Sequence, residues 1–91
     1  MSHFVGGSAP AMVRQIAEGY TLVSAVSLKK FTVAELEQLR FEIERRLRDI
    51  RGEPMDLEDV PAIQQRNRRI SRLEGALRVV RGTLGQRRRG R

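Results

Sequence analysis

FTVAELEQLRFEIERRLRDIRG, residues 31–52, carries the strongest local signal in the chain. Thr32 stands where its hydroxyl can accept from the backbone N–H of Glu35, and the Glu35 carboxylate can return to the Thr32 N–H. That reciprocal pair is the pattern that opens a helix, and Phe31 with Leu36 adds the spacing of a hydrophobic staple. Leu36, Leu39, Ile43, Leu47 and Ile50 then recur at helical spacing, so the stretch predicts a helix over about 32–51 with one apolar face. Gly52 follows as a suitable residue just past its end.

Reading onward, GEPMDLEDVP forms an acidic elbow over 52–60 and leads into Pro61. Asp56 and Asp59 are good helix caps, and Pro61 is tolerated only near a helix start, where its missing N–H costs nothing. A helical turn at 56–60 and a third helix over about 61–82 follow. There Ile63, Ile70, Leu77 and Leu84 fall seven apart, Leu73 and Val80 fill the intervening seam, and Arg66 takes one seam position. Such a pattern belongs to a helix packed lengthwise on another helix. Two long amphipathic helices joined by a short elbow predict an antiparallel, coiled-coil-like hairpin. Beyond Gly82 the chain reads GTLGQRRRGR, and its glycines and arginine run predict a disordered basic tail over 85–91.

Reading backward, residues 1–8 are small and Gly/Ser-rich and are expected to be flexible. Ser8 can cap a first helix over about 9–19, with Pro10 in its first turn, Met12, Val13, Ile16, Ala17 and Tyr20 on one face, and Gly19 as its stop. Residues 20–31 connect it to the second helix, and TLVSAVSL reads either as a short strand or as an extended connector. The expectation is one mostly α-helical domain over 9–84. At 91 residues the chain buries a modest fraction of its surface, so a partner or self-association is expected.

The formal net charge is +7, unevenly placed. Five acids and five arginines cancel over 32–51, four acids crowd 52–60, and residues 61–91 hold ten arginines against Glu74 alone. Arginine offers planar, bidentate contacts to phosphate or carboxylate. The competing explanation for its abundance is a GC-rich genome.

Arg66, Arg68, Arg69, Arg72, Arg78 and Arg81 of the third helix therefore read as an anion-binding surface, the alternative being a solvated face paired to acids of the second helix. Because the second helix's acids are matched by its own arginines, the excess points to an external partner. In the tail, Arg87, Arg88, Arg89 and Arg91 read either as nonspecific phosphate contacts or as a solubilising terminus. Phe41 and Tyr20 are possible interface residues, and for Phe41 a contact with the first helix is the alternative. Gly75 reads as a helix-packing position or as a place where a phosphate backbone comes close.

Other classes are disfavoured. The chain has no cysteine and one histidine, His3, so thiol chemistry, a His-based triad and a two-His metal site are out. The acidic elbow lacks the graded spacing and glycine of a calcium loop. No P-loop, dinucleotide fingerprint or nucleophile elbow appears, so no enzyme, cofactor, metal or small-molecule substrate is expected. No run approaches the roughly 20 apolar residues of a membrane span. The N-terminus lacks the pattern of a signal peptide, and a cytoplasmic or virion-borne protein is expected.

The pattern LKKFTVAELEQLRFEIERRLRDI, a short loop, then VPAIQQRNRRISRLEGALRVV resembles the small two-helix ribosomal proteins beside the peptide exit tunnel. NRRISRL is the segment most similar to that family's basic second helix, which holds ribosomal RNA. The resemblance implies a helical hairpin with an RNA partner, and this chain departs from it in the first 27 residues and in the acidic elbow. The expected function is binding of nucleic acid or a ribonucleoprotein. The alternative is an oligomeric structural adaptor, such as a phage connector or secretion-apparatus component, whose basic face meets protein.

Overall fold

The structure, a computed structural model, describes residues 3–89. It contains three helices, α1 (Ala9–Glu18), α2 (Val33–Gly52) and α3 (Val60–Arg89), and no strand among the described residues. A single 3-10 turn, Val5–Gly7, precedes α1.

Each helix begins where a cap supplies an acceptor for its unpaired N–H groups. Ser8 Oγ accepts from Ala11 N at 3.2 Å. Thr32 Oγ1 accepts from Glu35 N at 3.1 Å while Glu35 Oε1 accepts from Thr32 N at 2.9 Å, completing the reciprocal box. Asp59 Oδ1 accepts from Ala62 N at 3.2 Å, so α3 starts at Val60 and carries Pro61 in its first turn. At the far end of α1, Gly19 takes a φ of 86°, and Gly19 N and Tyr20 N donate back to Ile16 O and Gln15 O. That closure needs a left-handed residue, which glycine adopts without penalty. Gly52 does not play this part for α2: it stays in the helix, which closes on Glu53 in extended conformation.

One apolar core joins all of these pieces. α1 contributes Met12, Val13, Ile16 and Ala17, the connector Leu28 and Phe31, α2 the predicted Leu36, Leu39, Ile43, Leu47 and Ile50, and α3 Leu73, Ala76, Leu77, Val80 and Leu84. Tyr20, expected on the inner face of α1, lies beyond the helix end and is exposed.

Residues 20–30 form no strand, and as a connector they are extended only in part, since residues 25–30 are turns. No strand lies beside them to complete a ladder, and Ser24 and Ser27 instead bond each other's backbone N–H groups at 3.0 and 3.1 Å. Such local side-chain bonds favour turns over extended pairing. The turns bring Leu28 into the core with no exposed surface.

Two further expectations are corrected. The N-terminal segment is docked from His3 onward: the His3 ring bonds Glu35 Oε1 at 2.9 Å, and Phe4 meets Phe31 edge-on with ring centroids 5.7 Å apart. The expected break near residue 82 is absent, and α3 continues to Arg89 through Gly82 and Gly85. Each glycine costs about 1 kcal/mol of helix propensity, but burial of Leu84 and the bonds of Arg87 hold the last turns in place. Arg91 lies outside the described residues.

α2 and α3 pack along each other, and the first buried residue of α3 is Leu73; none from Arg51 to Arg72 is buried. Arg51, in the last turn of α2, pairs with Glu74. The N-terminal part of α3 therefore reaches past the end of α2, and the molecule is elongated, with principal extents of 51 × 26 × 19 Å.

Candidate functional site

The arginines predicted to meet a partner divide into two groups. Five of them are held inside the chain. Arg69 Nε donates to Glu18 Oε2 at 3.0 Å, and Arg72 Nη1 donates at 3.0 Å to Ala17 O, one of the carbonyls that the end of α1 leaves free. Arg81 Nη2 donates to Glu44 Oε2 at 2.8 Å, and Arg88 pairs with Glu37. Arg87 Nη2 donates to Leu28 O and Lys29 O, each at 3.0 Å, and its other terminal nitrogen donates to Phe31 O. Arg87 is thus a structural clamp.

The expectation that the acids of α2 were already matched fails for a geometric reason. Glu44 and Glu37 each accept from Arg40 on their own helix and also from α3, because a carboxylate has two oxygens. Arg81, and then Arg40, hold the Glu44 carboxyl below its usual value.

Arg66, Arg68, Arg78 and Arg89 form the second group and make no hydrogen bond or ion pair among the described residues. Arg66 is half-buried on the seam side, and its Nε is enclosed without a partner. Arg68, Arg78 and Arg89 are exposed. At 3.6 residues per turn they fall within about 80° of one another, opposite the buried stripe of α3. Ser71, Gly75 and Gly82 lie on the same outward strip.

The two glycines are not there for packing within the chain. A Cβ at Gly82 would meet nothing within 4 Å, and one at Gly75 would meet the Arg78 guanidinium at 3.9 Å. The outward strip is therefore low along its centre and flanked by free guanidinium groups.

Sequence reasoning missed a second set of cations. Arg14, Arg45 and Arg46 border a cleft of about 110 Å³ between α1 and α2 together with Glu42 and Asp49. Arg46 Nε is enclosed without a partner, while Arg45 pairs with Glu42 at 3.2 Å. Counting charge along α2 showed the arginines balanced, but Arg40 alone bonds both Glu37 and Glu44, whose second oxygens serve α3, so the pairing within α2 is not one to one.

Phe41 and Tyr20 are 52% and 79% exposed, so both rings are open to a partner and Phe41 is not covered by α1. At the start of α2 the His3 ring, and then the Thr32 N–H, lower the Glu35 carboxyl to about 2. No group of three or more His, Cys, Asp or Glu residues is placed to hold a metal among the described residues, and no helix among them is long and apolar enough to cross a membrane. Compared with known proteins, the chain matches no family model, no curated protein and no solved structure.

Proposed function

We propose that this protein is a non-catalytic binder of an anionic partner, nucleic acid or a ribonucleoprotein, and that the outward strip of α3 is the contacting surface. The observation that carries this reading is the alignment of Arg68, Arg78 and Arg89, exposed and unpaired, along one side of a helix whose Arg69, Arg72, Arg81, Arg87 and Arg88 are engaged within the chain. Free guanidinium groups spaced along a rigid rod suit phosphate contacts, which set position on a polymer without reading its sequence. No aromatic residue interrupts the strip, so contact with the backbone is favoured over stacking on bases. A cytoplasmic or virion-borne setting is the one in which such a partner is met.

An antiparallel, coiled-coil-like pairing of α2 with α3 is part of the same reading. It is supported by three ion pairs, Glu37 with Arg88, Glu44 with Arg81 and Arg51 with Glu74, in which one helix's numbers rise as the other's fall. Such a pairing holds α3 straight and turns its arginine strip outward.

The test is fluorescence anisotropy of labelled single-stranded and duplex RNA and DNA at low and near-physiological salt, with the wild-type chain and the triple variant Arg68→Gln, Arg78→Gln, Arg89→Gln. The variant should keep its helicity by circular dichroism and bind more weakly. Its log–log salt dependence should flatten by about 0.7 to 0.9 for each phosphate that is no longer neutralised. Equal binding by the two proteins would remove the assignment.

The second reading, an oligomeric structural adaptor in a larger protein assembly, rests on a different observation. Tyr20, Leu22 and Val26 of the connector are 79%, 91% and 72% exposed, an unusual concentration of open apolar side chains in so short a segment. It predicts no nucleic-acid binding at physiological salt and loss of protein capture on Leu22→Ser.

A further inference from the structure

The part of α3 that outreaches α2, together with the elbow, presents a surface with a definite polarity. Met55, Leu57 and Val60 are 41%, 74% and 54% exposed there, and Ile63 and Ile70 are only partly covered. Ile63 and Ile70 belong to the same seven-residue series as Leu77 and Leu84, which are buried where α2 lies alongside. Ile70 packs against the edge of the core, and the seam continues one repeat further, to Ile63, after the helix that covers it has ended.

Charge is segregated along the same segment. Glu53, Asp56, Glu58 and Asp59 lie toward its N-terminal end and none forms an ion pair among the described residues; Asp56 and Asp59 accept from the backbone N–H groups of Glu58 and Ala62. Arg66 and Arg68 lie toward its C-terminal end, also unpaired, with Arg66 at the seam position itself. One end of the arm is thus acidic, the other basic, and an open apolar strip joins them.

We propose that this arm, the elbow and the first turns of α3, is a dimerisation surface for a second copy of the same chain, packed antiparallel about a two-fold axis near Ile63. An axis there places Ile63 against its counterpart and lies three residues from Arg66 on one side and four from Asp59 on the other. Arg66 of each copy then faces the second copy's Glu58 and Asp59, and the contact occurs twice by symmetry. The parallel arrangement sets acid against acid and arginine against arginine, so the charges choose the orientation while the apolar strip drives association. An arginine at a seam position, costly in a dry core, serves in this way to fix register.

Sedimentation equilibrium of the full chain across the micromolar range, without nucleic acid, tests the proposal. The wild type should reach the mass of two chains. Arg66→Glu and Glu58→Arg should each sediment as single chains, because each places like charges together twice, and a one-to-one mixture should recover the two-chain mass. A wild type that stays single, a reversal that leaves the dimer intact, a mixture that fails to recover or a mass above two chains overturns it.

A second measurement does not depend on how well the charge variants fold. The chain lacks cysteine, so Ile63→Cys and Leu22→Cys each introduce one thiol. Under mild oxidation the thiol at 63 should form a covalent dimer at least tenfold faster than the thiol at 22, although Leu22 is the more exposed position. Equal rates, or a faster reaction at 22, overturn the two-fold axis.

Discussion

Arg87 Nη2 lies 3.0 Å from the carbonyl oxygen of Leu28, a residue 59 positions earlier in the chain. The same guanidinium also serves Lys29 and Phe31 and thereby closes the turn that leads from the connector into α2. A residue in an arginine run that reads as a tail is instead what ties the end of α3 to the start of α2.

Removing that clamp should destabilise the fold. Arg87→Ala removes a guanidinium that serves three carbonyls, of which Leu28 O keeps only the Phe31 N–H, and the loss of hydrogen bonds to a charged group at a partly buried site should cost about 1 to 3 kcal/mol. Urea titration followed by circular dichroism measures it. Arg88→Ala removes a more exposed ion pair and should cost about 0 to 1 kcal/mol. A cost for Arg87→Ala no larger than that for Arg88→Ala would contradict the assignment.

The closure of α1 makes a second prediction. Gly19 has a φ of 86°, and a Cβ there would stand 3.1 Å from Cζ of Arg72. Gly19→Ala should therefore lose about 1 to 2 kcal/mol through the left-handed backbone alone, and more if Arg72 is displaced from Ala17 O. Arg72→Gln tests the other partner. It should lower the melting temperature, whereas Arg68→Gln should leave it unchanged.

Acid should weaken the start of α2 in a defined window. Glu35 titrates at about 2 in the folded chain, below its ordinary 4.5, because the His3 ring and the Thr32 N–H favour its charged form. A depressed value means stabilisation that is fully present above pH 4.5 and is lost as the pH falls toward 2. Melting temperatures of the wild type and Glu35→Gln should differ at pH 5 and converge as the pH falls toward 2. A gap that widens on acidification would reverse the sign and the explanation.

The glycines of the outward strip should be expendable for folding. Gly75→Ala and Gly82→Ala add a methyl group into open space or against a mobile guanidinium, and each should stabilise α3 by about 1 kcal/mol. If the strip receives a polyanion, the same substitutions should weaken binding in the anisotropy experiment while raising the melting temperature. Stabilisation with unchanged binding would mean that their small size has no part in recognition.

What the sequence determined by itself is local. The Thr32–Glu35 cap, the Ser8 and Asp59 caps, the Gly19 stop and the apolar set from Leu36 to Ile50 depend on residues a few positions apart, and the structure shows all of them in place. Backbone hydrogen-bonding needs and helical spacing act within one or two turns, which is why they can be read along the chain. The tertiary structure decided which cations are free. Glu44 serves Arg81, Ala17 O takes Arg72, and the connector carbonyls hold Arg87, each across more than 35 residues. It also decided the length of α3, whose glycines and arginines favour fraying locally but are outweighed by burial of Leu84 and by Arg87. Charge along a chain can be counted from the sequence, but pairing depends on which oxygen lies within reach of which guanidinium, and only packing of the helices sets those distances.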